Sequence, residues 1–299
     1  SLFKRLVADA DVLVENFKRG GLDKYGLDYG SLSTLNPRLV YCSITGFGQT
    51  GPYADRAGYD YLIQGMAGIM SITGEKEGAP QRVGVAVTDI VTGLYGVIGI
   101  QAALRQREQT GRGQYVDMAL MDCATAFLAN QGMNYLVTGK APERTGNTHP
   151  NIVPYQVFDV SDGHIIIATG NDGQYRRLCG VLDVAALADD PRFAVNADRV
   201  SRRDILVPLL QAEIVKWTRA ALLAALEAVK VPAGPINDLN DVFADPQVLA
   251  RGLQIAPEGV PGVRSPWVFS DSELATGKTA PRLGQHNDEV RAELAARRG

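Results

Sequence analysis

Short apolar runs rich in β-branched residues alternate with helical patterns along the first half of the chain. Residues 11–15 and 39–45 have the pattern of buried strands, and residues 114–118 alternate as a third strand. Helical apolar spacing is strongest over residues 88–107. This alternation predicts an α/β fold. The turn signal Ser161-Asp162-Gly163 lies between two further strand patterns that precede several helices, which predicts a smaller α+β unit.

Composition excludes several classes of protein. The 299 residues carry a net charge of −3, which argues against a nucleic-acid-binding protein. Stretch 83–104 is the most apolar, but Asp89 interrupts it, so we predict a buried helix and no membrane span. Its glycines predict the close approach of another backbone. Three cysteines and three histidines are too scattered for a disulfide framework or a metal site, and we expect a cytoplasmic protein.

The first residue is Ser1 rather than methionine, and the residues after it have the pattern of a domain interior. The first residues do not show the basic segment followed by an apolar segment that is typical of a signal peptide. We therefore expect the chain to be a fragment of a longer protein.

Residues Gly46 to Gly51 match the G-x-G-x-x-G pattern of dinucleotide-binding proteins and follow a predicted strand. Pro52 comes next, and the residues after it do not begin a helix that could bind a phosphate. The pattern therefore predicts a tight loop and not a nicotinamide cofactor site.

Several acidic side chains are candidates for chemistry. Asp122 lies where a strand gives way to a helix, which fits either a helix N-cap or a carboxylate nucleophile. Helix capping is a sufficient explanation for Asp89, whereas Asp60 is a loop acid between apolar segments. Cys123 has no histidine partner and is not expected to be a nucleophile. His149 precedes a proline in a polar loop, where an ordinary loop role and a functional one are equally open.

The order and spacing of several short motifs, nearly from end to end, resemble those of the class III CoA-transferases. That family includes formyl-CoA and carnitine CoA-transferases and also α-methylacyl-CoA racemase. The matching segments are Val14-Glu15-Asn16-Phe17, Ile44 to Pro52, Ala57-Gly58-Tyr59-Asp60, Gly111 to Asp122, Pro150 to Gln156, Val231 to Ile236 and Asp245-Pro246-Gln247.

The resemblance implies a Rossmann-like large domain and a small α+β domain in an interlocked, ring-like homodimer. It places a large CoA-binding domain at 1–138, a linker at 139–150, the small domain at 151–235, and a second linker with a return to the large domain at 236–299. The family's opening βαβ segment, which helps to form the CoA site, does not precede the Glu-Asn-Phe motif here.

The resemblance also implies a reaction. CoA would move from an acyl-CoA, with succinyl-CoA as the expected donor, to a carboxylic acid, with a dicarboxylic acid as the expected acceptor. An aspartyl-CoA thioester on Asp122 would be the intermediate, with no metal and no permanently bound cofactor. His149 would contact the acid substrate. The residues that match the family's CoA contacts are Asn16, Phe17, Lys18, Lys24, Arg56, Ala57, Tyr59 and Asp60.

Two alternatives remain open. A racemase of this family carries a histidine before the aspartate in the Ala-Gly-His-Asp loop, whereas this chain has Tyr59 before Asp60. The pKa of tyrosine, near 10, makes it a poor base at neutral pH, which favours transfer over racemisation. Asp89 matches the second acid of the racemase, but transferases carry an acid there too. A non-catalytic CoA-binding or assembly subunit is the other alternative, in which Asp122 would only cap a helix.

Overall fold

The computed structural model describes residues 2–296 and has the mixed α/β fold that the sequence predicts. The chain divides into two compact units, Ser1–Asn147 and Thr148–Gly299. The boundary lies within the segment 139–150 that was predicted as a linker. The finer division into domain, linkers and return segment stays a prediction.

The first unit is built on a three-stranded parallel sheet with the order β1-β2-β3. The strands are β1 (Val12–Glu15), β2 (Val40–Thr45) and β3 (Tyr115–Ala119). Five of the six residues of β2, the central strand, are buried, as its β-branched and apolar sequence predicts. The helices are α1 (Leu2–Ala8), α2 (Tyr29–Leu35), α3 (Asp60–Met66), α4 (Ile69–Ile72), α5 (Val87–Thr110), α6 (Leu120–Phe127) and α7 (Ala129–Thr138).

Two apolar clusters stabilise this unit. The first joins α1, α2 and the sheet through Val7, Leu13, Leu32, Leu39 and Tyr41. The second joins α3, α4 and α6 through Ile63, Ala67, Ile69, Leu120 and Ala124. Burial of one large apolar side chain contributes about 1.5–3 kcal/mol, so the two clusters fix the helices that carry the candidate site.

The helix predicted at 88–107 is α5, but the prediction that it is buried is wrong for the described residues. Ile90, Leu94 and Ile98 are 52%, 55% and 63% exposed. By length and composition alone α5 could also cross a membrane, which is weak evidence because core helices pass the same test. Its buried positions include Thr88 and Thr92, so α5 packs against α6 and the sheet along one face only.

The glycines of α5 also differ from expectation. A Cβ atom built on Gly93 or Gly96 would meet no described atom within 4 Å, and one on Gly99 would meet the side chain of Val116 at 3.3 Å. Within the described residues, the predicted backbone approach is therefore wrong. Gly93 instead lines a cleft.

The second unit contains the predicted hairpin. Strands β4 (Tyr155–Val160) and β5 (Gly163–Ala168) pair antiparallel, and β6 (Ala233–Pro235) pairs antiparallel with β5. A small ladder joins β7 (Gln254–Ile255) and β8 (Gly262–Val263). The helices are α8 (Asp172–Val181), α9 (Ala185–Asp189), α10 (Asn196–Ser201), α11 (Arg203–Ile214), α12 (Arg219–Ala228), α13 (Leu239–Ala244), α14 (Pro246–Ala250) and α15 (Asn287–Ala296).

A fully buried arginine, Arg199, connects several segments of this unit. Arg199 forms an ion pair with Asp172 at 2.7 Å, and its guanidinium lies 4.4 Å from the centre of the Tyr175 ring. It also donates to the carbonyl oxygens of Val153 at 2.7 Å and Phe193 at 3.0 Å. The charge is tolerated inside the core because its donors find acceptors.

Candidate active site

A cleft of 610 Å³ lies at the carboxyl ends of the three parallel strands in the first unit. The residues that directly follow the strands, Asn16, Gly46 and Leu120, all line it. The first turns of α5 close one side through Asp89 and Gly93. Ligands of open parallel sheets bind at this edge, so the fold itself marks the cleft as the candidate site.

Seven of the eight predicted CoA contacts line this cleft. They come from two segments, one directly after β1 and one directly before or at the start of α3: Asn16, Phe17, Lys18, Arg56, Ala57, Tyr59 and Asp60. Lys24 does not line it, but lies in a neighbouring apolar groove that Phe17 shares. The structure brings together residues that are distant in sequence; their contact with CoA stays a prediction.

The rim of the cleft carries three cationic side chains. Arg19 pairs with Asp55 at 2.9 Å, so its charge is partly satisfied. The Arg56 guanidinium lies 3.9 Å from the centre of the Tyr53 ring, which orients it without neutralising it. Lys18 is exposed and forms no ion pair within residues 2–296. Lys18 and Arg56 are therefore available to an anionic ligand.

Two glycines bring the loops of the cleft into backbone contact. A Cβ atom built on Gly46 would lie 2.5 Å from Cα of Gly58, and one on Gly58 would lie 2.6 Å from Cα of Gly46. Only glycine at both positions allows this approach. The loop after β2 therefore packs directly on the segment that carries Arg56 and Asp60.

The glycine-rich segment forms a loop held by side chains, as predicted for it. The Gly48 amide donates to Thr45 Oγ1 at 2.9 Å, and the Gln49 amide donates to Asp117 Oδ2 at 3.0 Å. Gly48 has a φ of +84°, which favours glycine. Residues 46–59 contain no helix, so the helix N-terminus of a dinucleotide site is absent from this loop.

Asp60 begins α3 and is hydrogen bonded through both carboxylate oxygens. Its Oδ1 accepts from the Thr88 amide at 2.8 Å and from Thr88 Oγ1 at 2.7 Å, and its Oδ2 accepts from Gln64 Nε2 at 2.7 Å. Burial opposes ionisation of Asp60, but the hydrogen bonds from Thr88 and Gln64 outweigh it and lower its pKa. Asp60 is therefore a fixed negative charge in the wall of the cleft.

Asp89 lies in the first turn of α5 and is accessible from the cleft. Loss of surrounding water raises its pKa above the usual value, and the negative charge of Asp60 raises it further. The capping explanation for Asp89 is wrong, because the carboxylate that accepts from the α5 amides belongs to Asp60. A carboxylate with a raised pKa in a cleft is a candidate for chemistry.

Asp122 lies in the first turn of α6 and is exposed, but it is not among the residues that line the cleft. It is not the N-cap either, because Ala119 occupies that position and has no capping side chain. The neighbouring Cys123 is buried, and burial raises the pKa of its thiol, which disfavours a thiolate nucleophile. The predicted catalytic role of Asp122 stays a prediction.

His149 belongs to the second unit, where backbone contacts hold it. Its Nδ1 accepts from the Asn151 amide at 3.1 Å, and its carbonyl oxygen accepts from Arg203 at 3.0 Å. The rings of His149 and Tyr155 lie 5.0 Å apart. Its predicted contact with the acid substrate stays a prediction.

Sequence reasoning did not assign several cleft residues that the fold supplies, among them Arg19, Thr92 and Gly93. Arg19 directly follows the Asn-Phe-Lys motif, which could have indicated it. Thr92 and Gly93 lie one turn beyond Asp89 on α5, so helical spacing would have indicated them once Asp89 was placed in the site.

Comparisons with known proteins agree on one family. The family model described as CoA-transferase family III matches residues 1–287. An Agrobacterium fabrum protein named succinate–glutarate CoA-transferase is 56% identical over 299 residues, which cover 98% of this chain and 75% of that protein. A mouse protein named succinyl-CoA:glutarate CoA-transferase is 40% identical over 298 residues, covering 98% of this chain and 68% of that protein. The crystal structure of a CAIB/BAIF family protein from Brucella suis has a TM-score of 0.88 and 59% identity, covering 98% of this chain and 78% of that one.

Proposed function

This chain belongs to CoA-transferase family III, and from that premise we propose that it moves CoA from succinyl-CoA to a dicarboxylic acid, with glutarate as the first acceptor to test. The chain is a CoA-transferase; the substrates are the proposal. The names of the Agrobacterium and mouse relatives support it, since both include glutarate. The cationic groups Lys18 and Arg56 suit the phosphates of CoA or a second carboxylate.

The nucleophile in this proposal is Asp122, the residue that matches the family's catalytic aspartate. One observation supports the choice: Asp122 is exposed in the first turn of α6, two residues after Leu120, which lines the cleft. Because α6 directly follows β3, this turn lies at the carboxyl end of the sheet, where ligands of open parallel sheets bind.

The reaction then proceeds without redox change or net hydrolysis. An oxygen of Asp122 attacks the thioester carbonyl carbon, the C–S bond breaks, and CoA leaves as a thiolate, so that a mixed anhydride remains. The thiolate attacks the Asp122 carbonyl carbon of the anhydride, which releases succinate and leaves an aspartyl-CoA thioester. The acceptor carboxylate attacks that thioester, and the same two steps in reverse give the new acyl-CoA and free Asp122. Covalent capture conserves the thioester energy, provided that water is excluded.

Trapping the intermediate tests the proposal. The enzyme is incubated with succinyl-CoA, quenched with hydroxylamine, and digested for mass spectrometry, with Asp122→Asn and Asp89→Asn as a matched pair. We expect a hydroxamate on Asp122 and a loss of exchange activity of about 10³-fold or more in Asp122→Asn. Asp89→Asn should still form the hydroxamate on Asp122. A hydroxamate on Asp89 with none on Asp122 would contradict the proposal.

The acceptor is identified by competition. Glutarate, other dicarboxylates and a monocarboxylate of equal length are compared at equal concentration as acceptors from succinyl-CoA. Preference for the dicarboxylates over the monocarboxylate supports recognition of a second carboxylate. Equal rates with the monocarboxylate would contradict that part of the proposal, and exchange of the α-proton of a 2-methylacyl-CoA without transfer would indicate racemase chemistry.

We also propose that the enzyme is a cytoplasmic homodimer. The open apolar face of α5, with Ile90, Leu94 and Ile98, and the exposed Leu136 and Val137 of α7 support association, because large exposed apolar patches mark interfaces. Sedimentation of the wild type and of Ile98→Asp tests it. A monomeric wild type would contradict the dimer.

A further inference from the structure

A tight turn between β2 and α3 carries Arg56, a cationic residue at the rim of the cleft. The Arg56 amide donates to the carbonyl oxygen of Tyr53 at 2.9 Å, which closes the turn. The same turn places the guanidinium of Arg56 over the Tyr53 ring, 3.9 Å from the ring centre. Ala54, Asp55 and Arg56 line the cleft, whereas Tyr53 does not. Tyr53 therefore supports the rim from outside the cleft.

Two further contacts fix this turn. The ring of Phe47, in the loop after β2, packs edge-on against the Tyr53 ring, with 5.5 Å between the ring centres and 74° between the planes. Phe47 itself packs against the apolar cluster that joins α3, α4 and α6. Asp55 pairs with Arg19, from the loop after β1, at 2.9 Å. The Tyr53 ring is thus held between a side chain anchored on the core and the guanidinium of Arg56.

The guanidinium of Arg56 has unused hydrogen-bond donors. Within residues 2–296 it forms neither an ion pair nor a hydrogen bond, whereas the charge of Arg19 is paired with Asp55. Stacking uses only the face of a guanidinium, so its N–H groups stay available to bind a phosphate or a carboxylate through two parallel hydrogen bonds. Stacking also restricts the side chain before a ligand arrives, which lowers the entropy lost on binding.

We propose that Tyr53 is a positioning residue that holds the Arg56 guanidinium ready to bind an anionic oxygen group of the substrates, a phosphate of CoA or a carboxylate of the acid. The proposal rests on the proposed function only for the identity of the acid, because Arg56 lines the cleft whichever acid enters. Tyr53 itself makes no contact with substrate in this proposal.

Three variants separate the parts of this arrangement. Tyr53→Leu removes the aromatic face, and we expect the Kd of CoA or the KM of the acid to rise about two- to fivefold with kcat little changed. Tyr53→Phe keeps the ring and should stay near wild type. Arg56→Gln removes the charge and should raise the same constant about tenfold or more. A lower kcat at unchanged Kd and KM in Tyr53→Leu would indicate distortion of the reacting groups and would overturn the proposal.

A double-mutant cycle tests whether Tyr53 acts through Arg56. In the Arg56→Gln background, Tyr53→Leu should cause no further loss of binding, because the group that it positions is already absent. A further two- to fivefold loss in that background would show that Tyr53 acts elsewhere, which overturns the positioning role.

Tyr61→Leu is the matched control. The guanidinium of Arg82 lies 5.9 Å from the centre of the Tyr61 ring in the same unit, and neither residue lines the cleft. Tyr61→Leu should therefore bind CoA and the acid as the wild type does. A loss equal to that of Tyr53→Leu would show that removal of any such tyrosine weakens binding and would count against the proposal.

Calorimetry and exchange kinetics identify the anion that Arg56 binds. The Kd values of CoA and of 3′-dephospho-CoA are measured directly, and the KM of glutarate is measured in exchange from succinyl-CoA. A loss with CoA alone assigns the 3′-phosphate, a loss with both forms of CoA assigns the diphosphate, and a loss with glutarate alone assigns the carboxylate. Unchanged constants for all of these ligands in Tyr53→Leu overturn the proposal.

Failure of the proposed substrates remains distinguishable from failure of this inference. If glutarate accepts no CoA, the proposed acceptor is wrong, and the acid found by the competition assay replaces it in the KM measurement. If transfer to glutarate proceeds and Tyr53→Leu leaves every Kd and KM unchanged, only the positioning role of Tyr53 is wrong.

Discussion

Substitution of Gly58 by alanine tests whether backbone contact between two loops sets the shape of the cleft. The new Cβ would lie 2.6 Å from Cα of Gly46 and 3.4 Å from Cδ1 of Ile63. Carbon atoms pack at about 3.5–4.0 Å, so the two backbones must separate by about 1 Å. No flexible side chain can relieve the overlap, because the atom that is met belongs to the backbone.

The expected consequences are a modest loss of stability and a large loss of activity. Overpacking of this kind costs about 1–3 kcal/mol. The displaced segment carries Arg56 and Asp60, and a displacement of about 1 Å near the reacting groups lowers the rate by about 10²-fold. Thermal unfolding and kcat/KM for CoA exchange measure the two effects separately.

Gly84→Ala is the matched control. A Cβ atom at Gly84 meets nothing within 4 Å, and Gly84 has no positive φ. This variant should keep wild-type activity and stability. If both variants retained the wild-type kcat/KM, the contact between the two loops would have no role in shaping the site.

Three further predictions follow from the pKa directions and the buried groups. Asp89→Asn should raise the unfolding temperature at neutral pH, because folding raises the pKa of Asp89 and so disfavours its charged form. The gain in unfolding temperature should shrink as the pH falls and wild-type Asp89 becomes protonated. An unchanged or lower unfolding temperature at neutral pH would contradict this prediction. Arg199→Met should destabilise the second unit by about 1–3 kcal/mol in denaturant unfolding, because the buried carbonyl oxygens of Val153 and Phe193 lose their hydrogen bonds, whereas Arg202→Gln, which removes a partly exposed ion pair, should change it by about 1 kcal/mol or less. Native Cys123 should resist alkylation by iodoacetamide that labels it after unfolding, because burial raises the thiol pKa; rapid native labelling would refute this.

The strands of the parallel sheet and of the hairpin were predicted well from the sequence because their signals are local, whereas β6, β7 and β8 were not predicted. The runs at 39–45 and 114–118 correspond to β2 and β3 within one residue at each end, and the hairpin turn is as predicted. β-branched residues and short turn motifs determine these features over a few positions.

Helix breaks were not predicted, because they depend on tertiary contacts or on competing caps. The sequence predicts one helix over 122–136, but the structure has two, α6 and α7, and Ala129 at the start of α7 has a φ of +47°. Alanine carries no signal for that conformation. The sequence pattern of residues 23–36 likewise predicts a helix followed by a turn. In the structure a short 3-10 helix at Asp23–Tyr25 ends at Gly26, which has a φ of +59°, and Asp28 then caps a new helix, α2.

The candidate site shows the same division between local and distant causes. Motif resemblance indicated most of the cleft residues, because the segments after β1 and before α3 are continuous in sequence. Asp89 was assigned to capping because it occupies the first turn of a helix, where acids are common. The residue that performs the capping is 28 positions away, and only the folded structure brings Asp60 and Thr88 together.

The contact between Gly46 and Gly58 limits how this enzyme can diversify. A change in the course of one loop must be matched by the other, so the two loops can only be reshaped together. Side chains on the rim escape this constraint: Tyr59 is 75% exposed and belongs to none of the apolar core clusters. Single substitutions at such a position can change the surroundings of a ligand at little cost in stability.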